Sequence, residues 1–80
     1  MSNLIKLNQL IAEVLDLKVE HVNDDISPEN TESWDSFNAL VMVTELEETF
    51  DVSFTMDEVY AVKKVSDIKE ILIQHSVSFN

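Results

Sequence analysis

An all-α fold, a small four-helix bundle of three longer helices and one short, is predicted by three observations. Apolar residues recur at helical spacing over residues 3–17, 36–50 and from 66 onward. Residue types that cap helices stand at the start of each stretch. Only residues 52–55 and 77–79 have strand composition, and two such short pieces make at best a minor ribbon.

The first helix is expected over residues 3–17. Leu4, Leu7, Ile11 and Val14 form its stripe, and Leu10, Leu15 and Leu17 widen it. Ser2 or Asn3 would cap it. Residues 18–33 form a long loop between the first two helices. Val19, Val22 and Ile26 recur there at intervals of three and four, enough to pin it to the core, and a turn of helix fits residues 20–23. Pro28 sets Ser27 extended or in a turn. A connection this long in so small a domain is usually functional or tied down by its own side chains.

The second helix should run from Ser36 to Phe50. Ala39, Met42, Val43, Leu46 and Phe50 share one face, and Glu45, Glu47 and Glu48 lie off it. Asp51-Val52-Ser53 ends it without a glycine, so a fraying end is expected. Thr55-x-x-Glu58 reads as a capping box that opens a short helix through Ala61. Ser66 would cap the last helix, with Asp67 favourable in its first turn. Ile68, Ile71, Leu72 and Ile73 are its inward residues, and the residues after His75 look like a frayed tail.

The 80 residues are expected to make a single domain, 1–80, with a small core. Sixteen acidic residues against five Lys/Arg give a net charge of −11. That balance argues against nucleic acid and anionic membranes as partners; it either favours basic protein surfaces or only keeps a small protein soluble, and charge by itself does not decide between these. No cysteine is present, which removes disulfides and thiolate chemistry. No glycine is present either, so a Walker loop, a dinucleotide fingerprint, an EF-hand loop and a nucleophile elbow cannot be built. The first residues do not resemble a signal peptide, and no apolar run approaches a membrane span. A cytoplasmic, monomeric protein without membrane insertion is the expectation.

Three kinds of site fail on residue inventory. His21 and His75 are far apart and lack a second ligand at metal spacing, so no metal is expected. Glu45 and Glu48 share one side of a helix with nothing to raise a pKa, which describes a solvated acidic face. Ser36 as a hydrolytic nucleophile would need a base and an oxyanion hole that nothing in the spacing supplies, so no catalytic residue is expected.

Two features remain. Ser36 opens the second helix, where backbone N–H groups lack intrahelical partners and the macrodipole is positive. A serine there can cap the helix, bind an anion or carry one covalently. Phe37, Leu40, Val41 and Thr44 fall away from the buried stripe or on its margin, and Trp34 precedes them. They are either a recognition surface or the second buried side of a central helix.

Asp35-Ser36-Phe37, Leu40-Val41-Met42 and Leu46-Glu47-Glu48-Thr49-Phe50-Asp51 together resemble the acyl carrier proteins. Their signature is Asp-Ser-Leu opening a helix that ends in Leu-Glu-Glu-x-Phe. Lys18-Val19 after the first helix, the acidic loop, the short helix after Phe54, and Val65-Ser66-Asp67-Ile68 also fall where that family has them. The resemblance covers nearly the whole chain.

It implies that Ser36 carries a covalent 4′-phosphopantetheine arm, transferred from coenzyme A by a phosphopantetheinyl transferase, with Asp35 helping to present it. The arm would carry an acyl or aminoacyl thioester between enzymes, and the protein would catalyse nothing. Partners implied are the transferase, a loading ligase, and downstream transferases or synthases with basic patches. They would meet Trp34, Phe37, Leu40, Val41, Glu45, Glu47 and Glu48.

The chain departs from fatty-acid carriers in four places. Ser33-Trp34 stands where they usually have glycine, and Phe37 where they have leucine. Asn38 and Val41 stand where they commonly place acids. Tryptophan before Asp-Ser is more typical of specialised stand-alone carriers and of carrier domains in peptide and polyketide assembly, so the resemblance implies a carrier dedicated to one pathway. The alternative is an unmodified acidic adaptor that binds a protein through the second helix, with Ser36 only a cap.

Overall fold

The computed structural model describes residues 2–79. The order is α1 (Asn3–Leu15), a 3-10 turn (Val19–His21), α2 (Ser36–Phe50), α3 (Met56–Ala61) and α4 (Val65–Gln74). This is the all-α four-helix bundle with a long first connection. No strand occurs among the described residues, so residues 52–55 and 77–79 are a connection and a tail.

One core joins α1, α2, α4 and the long connection. Leu7, Ile11 and Leu15 of α1 meet Met42 and Leu46 of α2 and Val65, Ile68 and Leu72 of α4, with Ile26 and Trp34 supplied by the connection. Leu4, predicted on the inner stripe, sits at its exposed margin, and Ile73 points outward. Ile73 comes one residue after Leu72, about 100° around the helix, which carries it off the buried face.

Ser2 caps α1, its hydroxyl accepting the Ile5 N–H at 3.2 Å. The helix stops at Leu15, two residues short of expectation. Asp16 turns left-handed at φ 55°, and the Leu17 N–H returns to the Ala12 carbonyl at 2.9 Å. α2 closes the same way, with Asp51 at φ 54° and the Val52 N–H on the Glu47 carbonyl at 3.2 Å. After α4, Ser76 at φ 71° is followed by the Val77 N–H on the Leu72 carbonyl at 2.9 Å.

Each is a left-handed residue and then an apolar one, a Schellman-type closure made without glycine. Leu17, Val52 and Val77 all pack on the core. Neither the end of α2 nor the tail therefore frays as expected. The tail is docked: Phe79 meets Phe50 edge-on at 6.4 Å, and Asn3 Nδ2 donates to the Ser78 carbonyl at 2.7 Å. Asn80 lies outside the described residues.

The connection is organised by its own amides. Asn23 Oδ1 accepts the Asp25 N–H at 2.9 Å, and Asn30 Oδ1 accepts the Ser27 N–H at 3.0 Å. Its carbonyls also cap α4. The Val65 N–H bonds the Ile26 carbonyl at 3.0 Å and the Ser66 N–H bonds the Asp24 carbonyl at 3.2 Å. Lys69 pairs with the Asp24 carboxylate. Ser66 is thus inside α4 rather than its cap. Lys64 holds the cap position, and its side chain has no acceptor to offer.

α3 begins at the expected capping box, with both Thr55–Glu58 bonds made. It buries no residue of its own. Glu58 also reaches His75 Nε2 at 2.9 Å, and the His75 ring stacks on Phe54 at 5.9 Å. No helix among the described residues is long and apolar enough to cross a membrane.

Candidate functional site

The start of α2 is held by two residues, neither of them Ser36. Asp35 is extended and takes the cap position, its Oδ1 accepting the Asn38 N–H at 2.8 Å. Asn38 reaches back, its Nδ2 donating to the Ser33 carbonyl at 2.7 Å. The Asp35 carbonyl accepts the Ala39 N–H at 2.9 Å and starts the helical ladder. Asn38 was missed as a site residue. Nothing in the spacing marks it, because its side-chain partner is the Ser33 carbonyl of the preceding connection.

Ser36 is therefore the first residue of α2, exposed, with a hydroxyl that makes no hydrogen bond among the described residues. The positive end of the helix dipole lies at its backbone. No Lys or Arg occurs between Lys18 and Lys63, so neither α2 nor the loop before it supplies a cation beside the serine. A free hydroxyl at such a point can be esterified without breaking a bond that holds the fold. An anion placed there meets the unpaired N–H groups of the first turn.

Of the predicted recognition residues, the structure exposes Phe37 (73% accessible) and Leu40 (64% accessible) on α2. Val41 is half-buried at their edge, and Glu45 and Glu48 are exposed. Trp34 does not belong to this surface. Only 4% accessible, it is part of the core, because the connection turns inward just before the cap, where the Trp34 N–H bonds the Thr31 carbonyl at 3.0 Å. Glu47 is engaged as well. Its Oε2 accepts the Phe54 N–H at 2.8 Å and ties α2 to the segment leading into α3. An apolar pair beside Ser36 and two free carboxylates further along α2 make up the available face. Among the described residues, no three His, Asp or Glu side chains cluster to hold a metal ion.

Comparison with known proteins bears on this geometry. A family model described as a phosphopantetheine attachment site matches residues 6–72. A solved structure from Mycobacterium tuberculosis, assigned as an acyl carrier protein, has a TM-score of 0.77 with this chain. The match covers 86% of this chain and 92% of that one at 20% identity, so the shared property is the fold. No curated protein sequence is significantly similar to the chain.

Proposed function

Because the chain belongs to the phosphopantetheine-attachment-site family, as an acyl carrier protein, we propose that Ser36 is where its 4′-phosphopantetheine is attached. The observation that carries this is the division of labour at the start of α2. Asp35 does the capping, which leaves the Ser36 hydroxyl exposed and unbonded. The residues present fit the group: its phosphodiester is an anion, and the first turn of α2 supplies N–H donors and a favourable dipole. When bound, the arm supplies a thiol, absent from this cysteine-free chain, on which an acyl or aminoacyl group is held as a thioester.

The chain's own residues present and dock. Asp35 fixes the serine's register by capping α2, and its exposed carboxylate helps present the serine to the transferase. Phe37, Leu40 and Val41 form an apolar contact, and Glu45 and Glu48 attract basic patches on the loading ligase and on downstream transferases or synthases. With a net charge of −11, that attraction acts at range and weakens with salt. The apolar front of α2 favours a dedicated biosynthetic pathway over general fatty-acid synthesis. We place the protein in the cytoplasm as a non-catalytic monomer that the transferase modifies.

A second reading is an unmodified adaptor, favoured by the exposure of Phe37 and Leu40 alone. Mass measurement after incubation with coenzyme A and a phosphopantetheinyl transferase separates the two. The carrier gains the arm and the Ser36→Ala variant does not, whereas an adaptor gains nothing.

A further inference from the structure

Asn38 stands half-buried in the first turn of α2 and makes two bonds, one to each side of Trp34 in sequence. Its backbone N–H goes to Asp35 Oδ1 at 2.8 Å, and its Nδ2 donates to the Ser33 carbonyl at 2.7 Å. A carbonyl only accepts, so the amide nitrogen of Asn38 has to face it. The first bond belongs to the cap. The second lies outside the helical ladder, because Ser33 precedes the cap residue, and it ties α2 to the connection that enters it.

Ser36 stands between these two pins. Its hydroxyl is exposed and bonded to nothing among the described residues, so its direction is set by the backbone around it. Trp34 fixes one point of that backbone by burial, at 4% accessible. One buried side chain still leaves the adjoining peptides free to turn. The Asn38 amide removes that freedom at the Ser33 carbonyl.

Building on the carrier reading of Ser36, we infer that Asn38 is a positioning residue for its modification, aiming the serine oxygen through the braced backbone of residues 33–36. In the transfer that oxygen bonds to the phosphorus that carries pantetheine in coenzyme A. The pyrophosphate bond breaks, adenosine bisphosphate leaves with the electron pair, and the hydroxyl proton passes to a base of the transferase. The rate depends on how often the oxygen points along the line of attack. Docking does not, since Phe37, Leu40, Glu45 and Glu48 are untouched by the Asn38 amide.

The test is single-turnover loading from coenzyme A with a broad-specificity transferase in excess, followed by intact mass well below the Tm of each variant. Asn38→Ala should fold, alanine being a good helix former. Its maximal rate should fall about fivefold, the kinetic equivalent of one ordinary hydrogen bond, at an unchanged half-saturating transferase concentration. Asn38→Asp should be slower still, because its carboxylate cannot donate and repels both the Ser33 carbonyl and Asp35. Asn38→Gln keeps the donor and should recover most of the rate.

Ser2→Ala removes the cap of α1 and serves as the control for lost stability: its Tm should fall and its rate should not. An unchanged maximal rate in Asn38→Ala overturns the inference, as does a loss confined to the half-saturating concentration, which is the mark of a docking contact. A glutamine variant as slow as the alanine one, or equal slowing in Ser2→Ala, overturns it too. Failure of the native chain to load at all overturns the carrier reading instead and takes this inference with it.

Discussion

The Asp35 carboxylate accepts the Asn38 backbone N–H at 2.8 Å, so the residue before the serine, not the serine, caps α2. Removing the cap should cost about 1 kcal/mol, within the usual 0.5–2 kcal/mol for such caps. Removing the exposed, unbonded Ser36 hydroxyl should change stability by less than about 0.5 kcal/mol. Urea titration of Asp35→Ala and Ser36→Ala checks this. Equal losses in the two variants would place the cap wrongly.

Trp34 and Phe37 are three residues apart and opposite in burial, at 4% and 73% accessible. Trp34→Ala should destabilise by about 3–5 kcal/mol, a large share of the 5–15 kcal/mol on the order of which a whole domain is stable. Phe37→Ala should leave the unfolding midpoint nearly unchanged while weakening association with the transferase. Denaturation and binding measured on the same two variants decide it, since a surface role for Trp34 would reverse the pattern.

Glu58 predicts an acid-sensitive α3. The Thr55 backbone N–H holds its carboxyl below 4.5, the ordinary value, and partial burial opposes this; His75 adds to the lowering. A depressed folded-state pKa gives stability that is present above the unfolded value and lost as pH falls through the folded one. The Tm gap between the native chain and Glu58→Gln should therefore be open at pH 7 and close as the pH drops below about 4.5. A gap that widened in acid would contradict the assignment.

Ser76 holds φ 71° without being glycine. The left-handed region costs a non-glycine residue roughly 1–2 kcal/mol, part of which glycine loses again through its freer unfolded chain. Ser76→Gly should thus stabilise by about 0.5–1 kcal/mol. A thermal scan that shows destabilisation would mean the Ser76 side chain contributes more than its strain.

The features readable in the sequence are those set by local forces. The bounds of α2 and the start of α3 rest on periodicity and on the Thr55–Glu58 box, both written in neighbouring residues, and both were legible. Ser66 looked like a cap because its real partner, the Asp24 carbonyl, comes from the distant connection. Leu17 looked helical because it prolongs an apolar stripe, yet the same burial is served by a left-handed Asp16. Trp34 read as surface because it lies in a polar stretch with no period, and only the fold of the connection turns it inward. At the site, serine and aspartate both cap helices, so the order of Asp35 and Ser36 could not say which one does. Whether Phe37 and Leu40 were exposed depended on what packs against α2, which no local pattern encodes.

Attachment at Ser36 is tested by intact mass after incubation with coenzyme A and a broad-specificity phosphopantetheinyl transferase. The native chain should gain one phosphopantetheine, located on the peptide containing Ser36, and a folded Ser36→Ala variant should gain none. No gain in the folded native chain, with a known carrier modified in parallel, or an equal gain in Ser36→Ala, would contradict it.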